Sequence, residues 1–531
     1  MKVTHIPFKN TGFFSKTMLD YLEQKNSILP FYNNFPDISG FHNQIEEKQK
    51  SFILQHRLVL VDALEKQYKG FKISEKTTEN IAILKQQNTF TVTTGHQLNL
   101  FTGPLYFLYK ILSTINLCED LSEKFPEQNF VPIYWMATED HDFDEINYFN
   151  FDGKKVQWNR EDGGAVGRFS TDGLENVFKV FSNHLGNSKN AEYLKQLFSD
   201  GYLKHKNLAD ATRFIANELF KDYGLVIIDG DDENLKKLFN PIVKDELENS
   251  TSFKAVSNTI DELEKNYKIQ VNPREINLFY LGDNFRERII FENGIYKVNN
   301  TDITFSTEEI LQEVENNPLA FSPNVIMRPL YQEVVLPNLC YLGGGGEIAY
   351  WLELKDYFNA VNVPFPILLL RNSVQVLSGK QAKKLNKLNI TTEEIFLKQN
   401  DLLKLKIKEN SEIQFSFQDA KTLLNEQFLA LRRVANETDF SFVGAVDAQE
   451  RKQQKGLENL ERRLLRAEKR KQKDLVSRIT DLHNNLLPNE SLEERQRNFS
   501  EYYLEYGNGF VKALKESLKP LQLEFTVLEM D

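Results

Sequence analysis

Two rhythms of apolar residues run along the chain, and the switch between them marks the organisation. Over residues 1–88 the spacing is mostly helical: "NQIEEKQKSFILQHRLVLVDALEKQYKG" carries its apolar positions three and four apart. The short β-branched run "NTFTVTTG" (88–95) then predicts a strand, and a helical pattern over about 104–121 leads to a second run, "VPIYWMAT" (131–138). Strand, helix, strand within about 50 residues reads as a βαβ unit and hence a parallel sheet. Two further continuous apolar runs, "GLVIID" (224–229) and "VPFPILLLR" (363–371), each follow a helical segment, as expected of strands buried on both faces.

The pattern predicts an α/β protein with a doubly wound core over 89–384. Insertions interrupt it near 150–205 and 250–320. The first contains a hairpin within 150–170, and the second contains strands around turns within 270–298. Residues 1–88 form a helical part packed on the core. From 385 to 487 the chain reads as a helical coiled-coil domain. Its seam runs through Leu457, Leu460, Leu464, Ala467, Leu475, Ile479, Leu482 and Leu486 and slips at the 11-residue step from Leu464 to Leu475, as at a stutter. A partner helix is expected within 390–435. Residues 488–531 are expected to return to the core as a helical segment.

Ligands of open parallel sheets bind beyond the carboxyl ends of the strands, and three motifs fall there. In "TGHQLNLFTGPLYFLYK" the polar set His96, Gln97, Asn99 and Thr102 follows the first strand, with Gly103 and Pro104 as cap and first residue of the next helix. This loop either contacts a ligand or is closed by His96. In "WMATEDHDFDE", Glu139, Asp140 and His141 begin on an apolar strand heading for the cleft, whereas Asp142, Asp144 and Glu145 suit a helix N-cap and first turn, with Asp142 kept as a candidate binding residue. In "YLGGGGEIAYWLELKDYF", Gly343, Gly344, Gly345 and Gly346 let backbone approach a ligand, and Glu347 and Tyr350 lie in the helix that follows. This last motif matches neither GxGxxG nor GxxxxGK[ST], so it supports neither a dehydrogenase nor a P-loop kinase. Arg328 and Arg371 close apolar runs and either clamp an anion or pair internally.

Composition narrows the choices. A chain of 531 residues, 41% hydrophobic, can bury a large core, and a net charge of -11 argues against nucleic acid as partner. The two cysteines, Cys118 and Cys340, have no CxxC partner and read as packed thiols. No apolar run is long enough to span a membrane, so a cytoplasmic protein is expected.

Together, "TGHQLNLFTGPLYFLYK", "PIYWMATEDHDFDEI" and "SPNVIMRPLYQEVVLPNLCYLGGGGEIAYWLELK" resemble the cysteine-adding enzymes of bacillithiol biosynthesis, over essentially the whole chain. The resemblance implies a Rossmann-like core with two connecting-peptide insertions and a coiled-coil domain that forms a homodimer. It also implies a reaction joining the carboxyl of cysteine to the amine of glucosaminyl-malate. The core arrangement of that family is similar to class I aminoacyl-tRNA synthetases, although this sequence has no HxGH pair and no KMSKS-like loop. Acyl activation is expected, with ATP as the candidate activator, and no metal is assigned. On this reading His96 and Gln97 face the acyl group. Glu139, Asp140 and His141 take part in catalysis, the two carboxylates holding an ammonium or accepting a proton. The glycines and Arg371 receive anions. The competing readings are a metal-dependent hydrolase or transferase built on 139–145, and a non-catalytic nucleotide-binding scaffold.

Overall fold

The computed structural model describes residues 1–160, 163–413, 415–438 and 440–531; Glu161 and Asp162, within the stretch expected to hold a hairpin, lie outside the described residues. Five parallel strands form the core in the spatial order Ile367–Leu370, Asn338–Gly343, Thr89–His96, Asn129–Met136, Val226–Asp229. In chain order this is 5-4-1-2-3. The chain winds outward from the first strand in one direction, then crosses and winds the other way. The topological switch point therefore lies between Thr89–His96 and Asn338–Gly343.

On one face the helices Ile38–Ser51 and Tyr106–Lys124 bury Phe41, Ile45, Leu117 and Leu121 against Phe90, Val92, Leu342 and Leu369. Alternation along the strand turns Thr91 and Thr93 to the other face, where both hydroxyls donate to Asn338 Oδ1. Asn338 in turn donates to Glu333 Oε1 at 2.6 Å, and Lys48 reaches Glu333 Oε2 at 3.2 Å. Cys118 and Cys340 are buried free thiols in this core.

The hairpin expected in the first insertion is present as Tyr148–Phe151 paired with Lys154–Gln157, followed by three helices between 174 and 220. The second insertion builds a five-stranded antiparallel sheet from segments between Leu278 and Pro323.

Three features differ from expectation. The central strand Asn338–Gly343 is absent from the strands read by pattern, because it is short, follows a helix directly and runs into the glycines. The first and last segments are not only helical: Lys2–Ile6 pairs antiparallel with Phe525–Met530, which pairs in parallel with Val374–Ser378. The slip expected in the coiled-coil seam is a helix break at Gln472 (φ -96°, ψ 35°) between Phe440–Lys471 and Lys473–Leu486. Gln418–Asn436 packs along the first of these helices and Gln399–Glu409 along the second. Ile479, Leu482 and Leu486 are buried, whereas Leu460 is 50% exposed.

After the last coiled-coil helix the chain returns as a strap over 491–498 that is tied on both sides. Glu494 accepts from Arg371 Nη2 at 2.6 Å and from Arg371 Nη1 at 3.1 Å, Glu493 accepts from Val376 N–H and from the Tyr502 hydroxyl, and Asn498 donates to the Phe101 and Gly103 carbonyls. Arg371 and Glu494 are both nearly fully buried. Removing one partner of such a pair leaves an uncompensated buried charge. Glu494→Ala is therefore expected to lower unfolding free energy by about 3–5 kcal/mol in urea titrations. A loss near zero would mean that the strap is not braced by this pair.

Candidate active site

The loops leaving the first and fourth strands meet at the switch point. Lys110, one turn into the helix Tyr106–Lys124, donates to the Gly95 carbonyl at 2.7 Å and pairs with Glu347 at 2.6 Å. Glu347 also accepts from the Gly344 N–H at 2.8 Å and the Tyr341 hydroxyl at 2.9 Å. Burial alone would raise its pKa, but Lys110 and these donors outweigh burial and hold it below the usual carboxylate value. His96 sits beside this pair, packed edge-on to Tyr106 and against Phe107. Burial, with Lys110 and Arg371 nearby, pushes its pKa down to about 3, so the ring is neutral, and its Nε2 has no hydrogen-bond partner.

The second strand delivers the acidic edge. Glu139 pairs with the buried ammonium of Lys236, which also donates to the Phe321 carbonyl at 2.6 Å. Burial raises the proton affinity of Glu139, Lys236 opposes this, and Asp231 adds to it. Asp140 accepts from Gln97 Nε2 at 2.8 Å and from its neighbour's N–H at 2.7 Å. Gln97 also donates to Glu145 at 2.9 Å. His141 Nδ1 accepts from Arg286 Nη1 at 3.0 Å, and burial and that guanidinium lower its pKa. The run of acids is thus divided among Lys236, Gln97 and Arg286. Among the described residues, no three His, Cys, Asp or Glu side chains are grouped so that they could hold a metal ion.

Arginines line the same cavity. Arg286 lies 4.0 Å over the Phe279 ring and donates to Ser322 and to the Pro323 carbonyl. Arg274, Arg288 and Arg328 share the cavity with it. Arg328 donates to Gln332 at 3.2 Å, and its Nη2 is buried without a partner. The cavity these residues line measures about 730 Å³, in the range that takes a substrate-sized ligand.

His96, Gln97, Glu139, Asp140 and His141 all line this cavity. Arg328, Gly344, Gly346, Glu347, Tyr350 and Arg371 line it too. The remaining candidates do not. Asn99 donates to the Glu145 carbonyl and packs against Gly103, where an added Cβ would come within 2.5 Å of Asn99 Cβ. Phe101, Thr102 and Gly103 form a run at positive φ (48°, 69° and 60°), so this loop is a structural bend. The helix begins at Tyr106, and Gly103 is not its cap. Asp142 precedes a four-residue helix and is exposed. Gly343 is bound in the sheet, its carbonyl accepting from Arg371 N–H. Gly345 abuts Met18 outside the large cavity. Arg371 lines the cavity, but its Nη atoms are committed to Glu494 and its neighbours, so it is not the free anion clamp expected.

Sequence reasoning did not single out Lys110, Lys236, Arg274, Arg286, Arg288 or Arg495. For Lys110 a signal existed, a single charged residue in the stretch from Tyr106 to Cys118 of that helix. For the insertion arginines none did, because alternating charge along a strand is what a solvated face also shows.

Two family descriptions match the chain: "Bacillithiol biosynthesis BshC, N-terminal Rossmann-like domain" over residues 1–372 and "Bacillithiol biosynthesis BshC, C-terminal coiled-coil domain" over residues 374–530. A Flavobacterium johnsoniae protein named "Putative cysteine ligase BshC" is 57% identical, covering 98% of this chain and 99% of its own length. Proteins of the same name from Cytophaga hutchinsonii (39% identical; 98% and 97% covered) and Bacillus cytotoxicus (28%; 93% and 94%) extend the likeness. With a Rossmann strand order, a cavity at its switch point and these matches along nearly its whole length, the chain belongs to the BshC family of bacillithiol biosynthesis.

Proposed function

We propose that the chain is a ligase that joins the carboxyl of cysteine to the amine of glucosaminyl-malate, forming bacillithiol. The observation that carries this reading is one cavity lined both by carboxylates and a neutral histidine and by arginines. The malate part of the acceptor carries two carboxylates, and Arg274, Arg286, Arg288 and Arg328 are guanidinium forks suited to them. A free carboxylate is a poor acyl donor. ATP, when bound, would supply its activation, and the same arginines have the chemistry to hold phosphates.

The chain's own residues then do the following. Glu139, with its raised proton affinity, takes a proton from the attacking amine, which must be neutral to attack. The C–N bond forms as the carboxyl C–O bond breaks, and the departing oxygen leaves with the activating group. His96, neutral and with a free Nε2, presents a hydrogen-bonding edge to the acyl group without adding charge. Asp140 and Gln97 hold each other and orient the amine. Among the described residues no helix is long and apolar enough to cross a membrane, and a cytoplasmic location is part of the proposal.

Leu423, Leu431, Val434 and Leu460 expose apolar surface on the helical hairpin, which supports a homodimer formed there.

The direct test is purified protein with cysteine and glucosaminyl-malate, with and without ATP, read by mass spectrometry. The amide product is expected with ATP, and no product under either condition overturns the reading. Activity should rise with pH through the Glu139 titration, with the acid limb above the ordinary carboxylate value, because the base works only when deprotonated. Glu139→Gln should cut kcat by about 10²–10⁴-fold and remove that limb. The double substitution Leu431→Glu, Leu460→Glu should yield folded monomers in sedimentation velocity; a surviving dimer places the interface elsewhere.

A further inference from the structure

A second, smaller cavity of about 210 Å³ lies on the far side of the glycine loop. It is enclosed by Phe13–Met18 from the N-terminal part, by Gly344–Gly346, by Leu370 and Arg371, and by the strap. Gly344, Gly346, Arg371 and Arg495 line both cavities, so the two chambers meet at these residues. The smaller one lies below the size range of drug-sized ligands, and the larger lies well within it. A condensation of one small and one large substrate is suited by such a pair, with the carboxyl carbon of one and the amine nitrogen of the other at the junction.

The junction is built for an anion. Arg495 is exposed there, and it has no ion pair or side-chain hydrogen bond to any described residue. Its place is fixed by its neighbours: Glu494 is tied to Arg371 and Glu493 to the Val376 N–H. Arg371 is 3% exposed, yet its Nε is buried without a partner beside Gly344. Phe13, Met18 and Leu492 give the chamber an apolar, polarisable lining, and Ser15, Gln270 and Ser491 add hydroxyl and amide oxygens. A guanidinium, oxygen acceptors and a thioether in one small chamber describe the complement of a small zwitterionic thiol.

We infer that the smaller chamber is the cysteine site, with Arg495 gripping the carboxylate at the junction and the thiol held against Met18. The inference rests on the ligase reading above and adds to it which substrate half sits where. It also makes the strap that follows the coiled coil a contributor to the substrate site.

The test is equilibrium dialysis of radiolabelled cysteine against the full-length protein, which needs no turnover. The wild-type chain should bind cysteine. Arg495→Ala and Gln270→Ala should each weaken binding, the former by about tenfold or more, as for loss of a charge-assisted hydrogen bond. Arg495→Lys should recover part of the loss. Arg288→Ala, in the larger chamber only, should leave cysteine affinity unchanged. If wild type binds no cysteine, or if Arg288→Ala weakens binding while Arg495→Ala does not, the assignment is overturned. Because product formation is read separately, a chain that makes bacillithiol with unaltered cysteine binding in Arg495→Ala would refute the chamber assignment and leave the ligase reading intact.

Discussion

The ammonium of Lys110 is the tie on which the site depends. It joins the end of the first strand, through the Gly95 carbonyl, to the start of the helix after the fourth, through Glu347. These two elements diverge at the switch point, and nothing in a parallel sheet forces them to stay together beyond their last ladder bond. A buried ion pair is a weak source of net stability, because desolvation of both charges offsets their attraction. Its value here is positional. It fixes where His96 and the glycine loop stand relative to each other, and burial, aided by the ammonium, keeps His96 unprotonated.

A second tie works at longer range. Arg371, at the end of the fifth strand, is bound to Glu494, which lies beyond the whole helical domain. The chain thus leaves the core, runs through the coiled coil and returns to close the cavity rim. A substitution in the hairpin that shifts the strap would be felt at the Phe101–Gly103 bend, because Asn498 holds two carbonyls of that bend. This connection explains how a domain without catalytic side chains of its own can still shape the site.

The core was legible in the sequence where periodicity was unambiguous. The continuous apolar runs at 131–138 and 224–229 could only be buried strands, and the polar residues at their ends marked the cleft. The strand at 338–343 escaped because a short run of one asparagine, four apolar residues and a glycine after a helix carries no period of its own. Partners distant in sequence were out of reach for a simpler reason: Glu494 for Arg371, or Lys236 for Glu139, is chosen by topology and not by local pattern. The acidic run admitted a metal site as a competing reading, but successive side chains on a strand end diverge: Glu139 pairs with Lys236, while Asp140 and Glu145 share Gln97.

Cys118 and Cys340 are wholly enclosed, and burial raises both thiols well above the usual cysteine range. Thiol–disulfide exchange requires an accessible thiolate, and neither residue offers one. A protein that handles a low-molecular-weight thiol is thereby kept from forming mixed disulfides with its own substrate or product. Both thiols are withheld from exchange for as long as the fold encloses them.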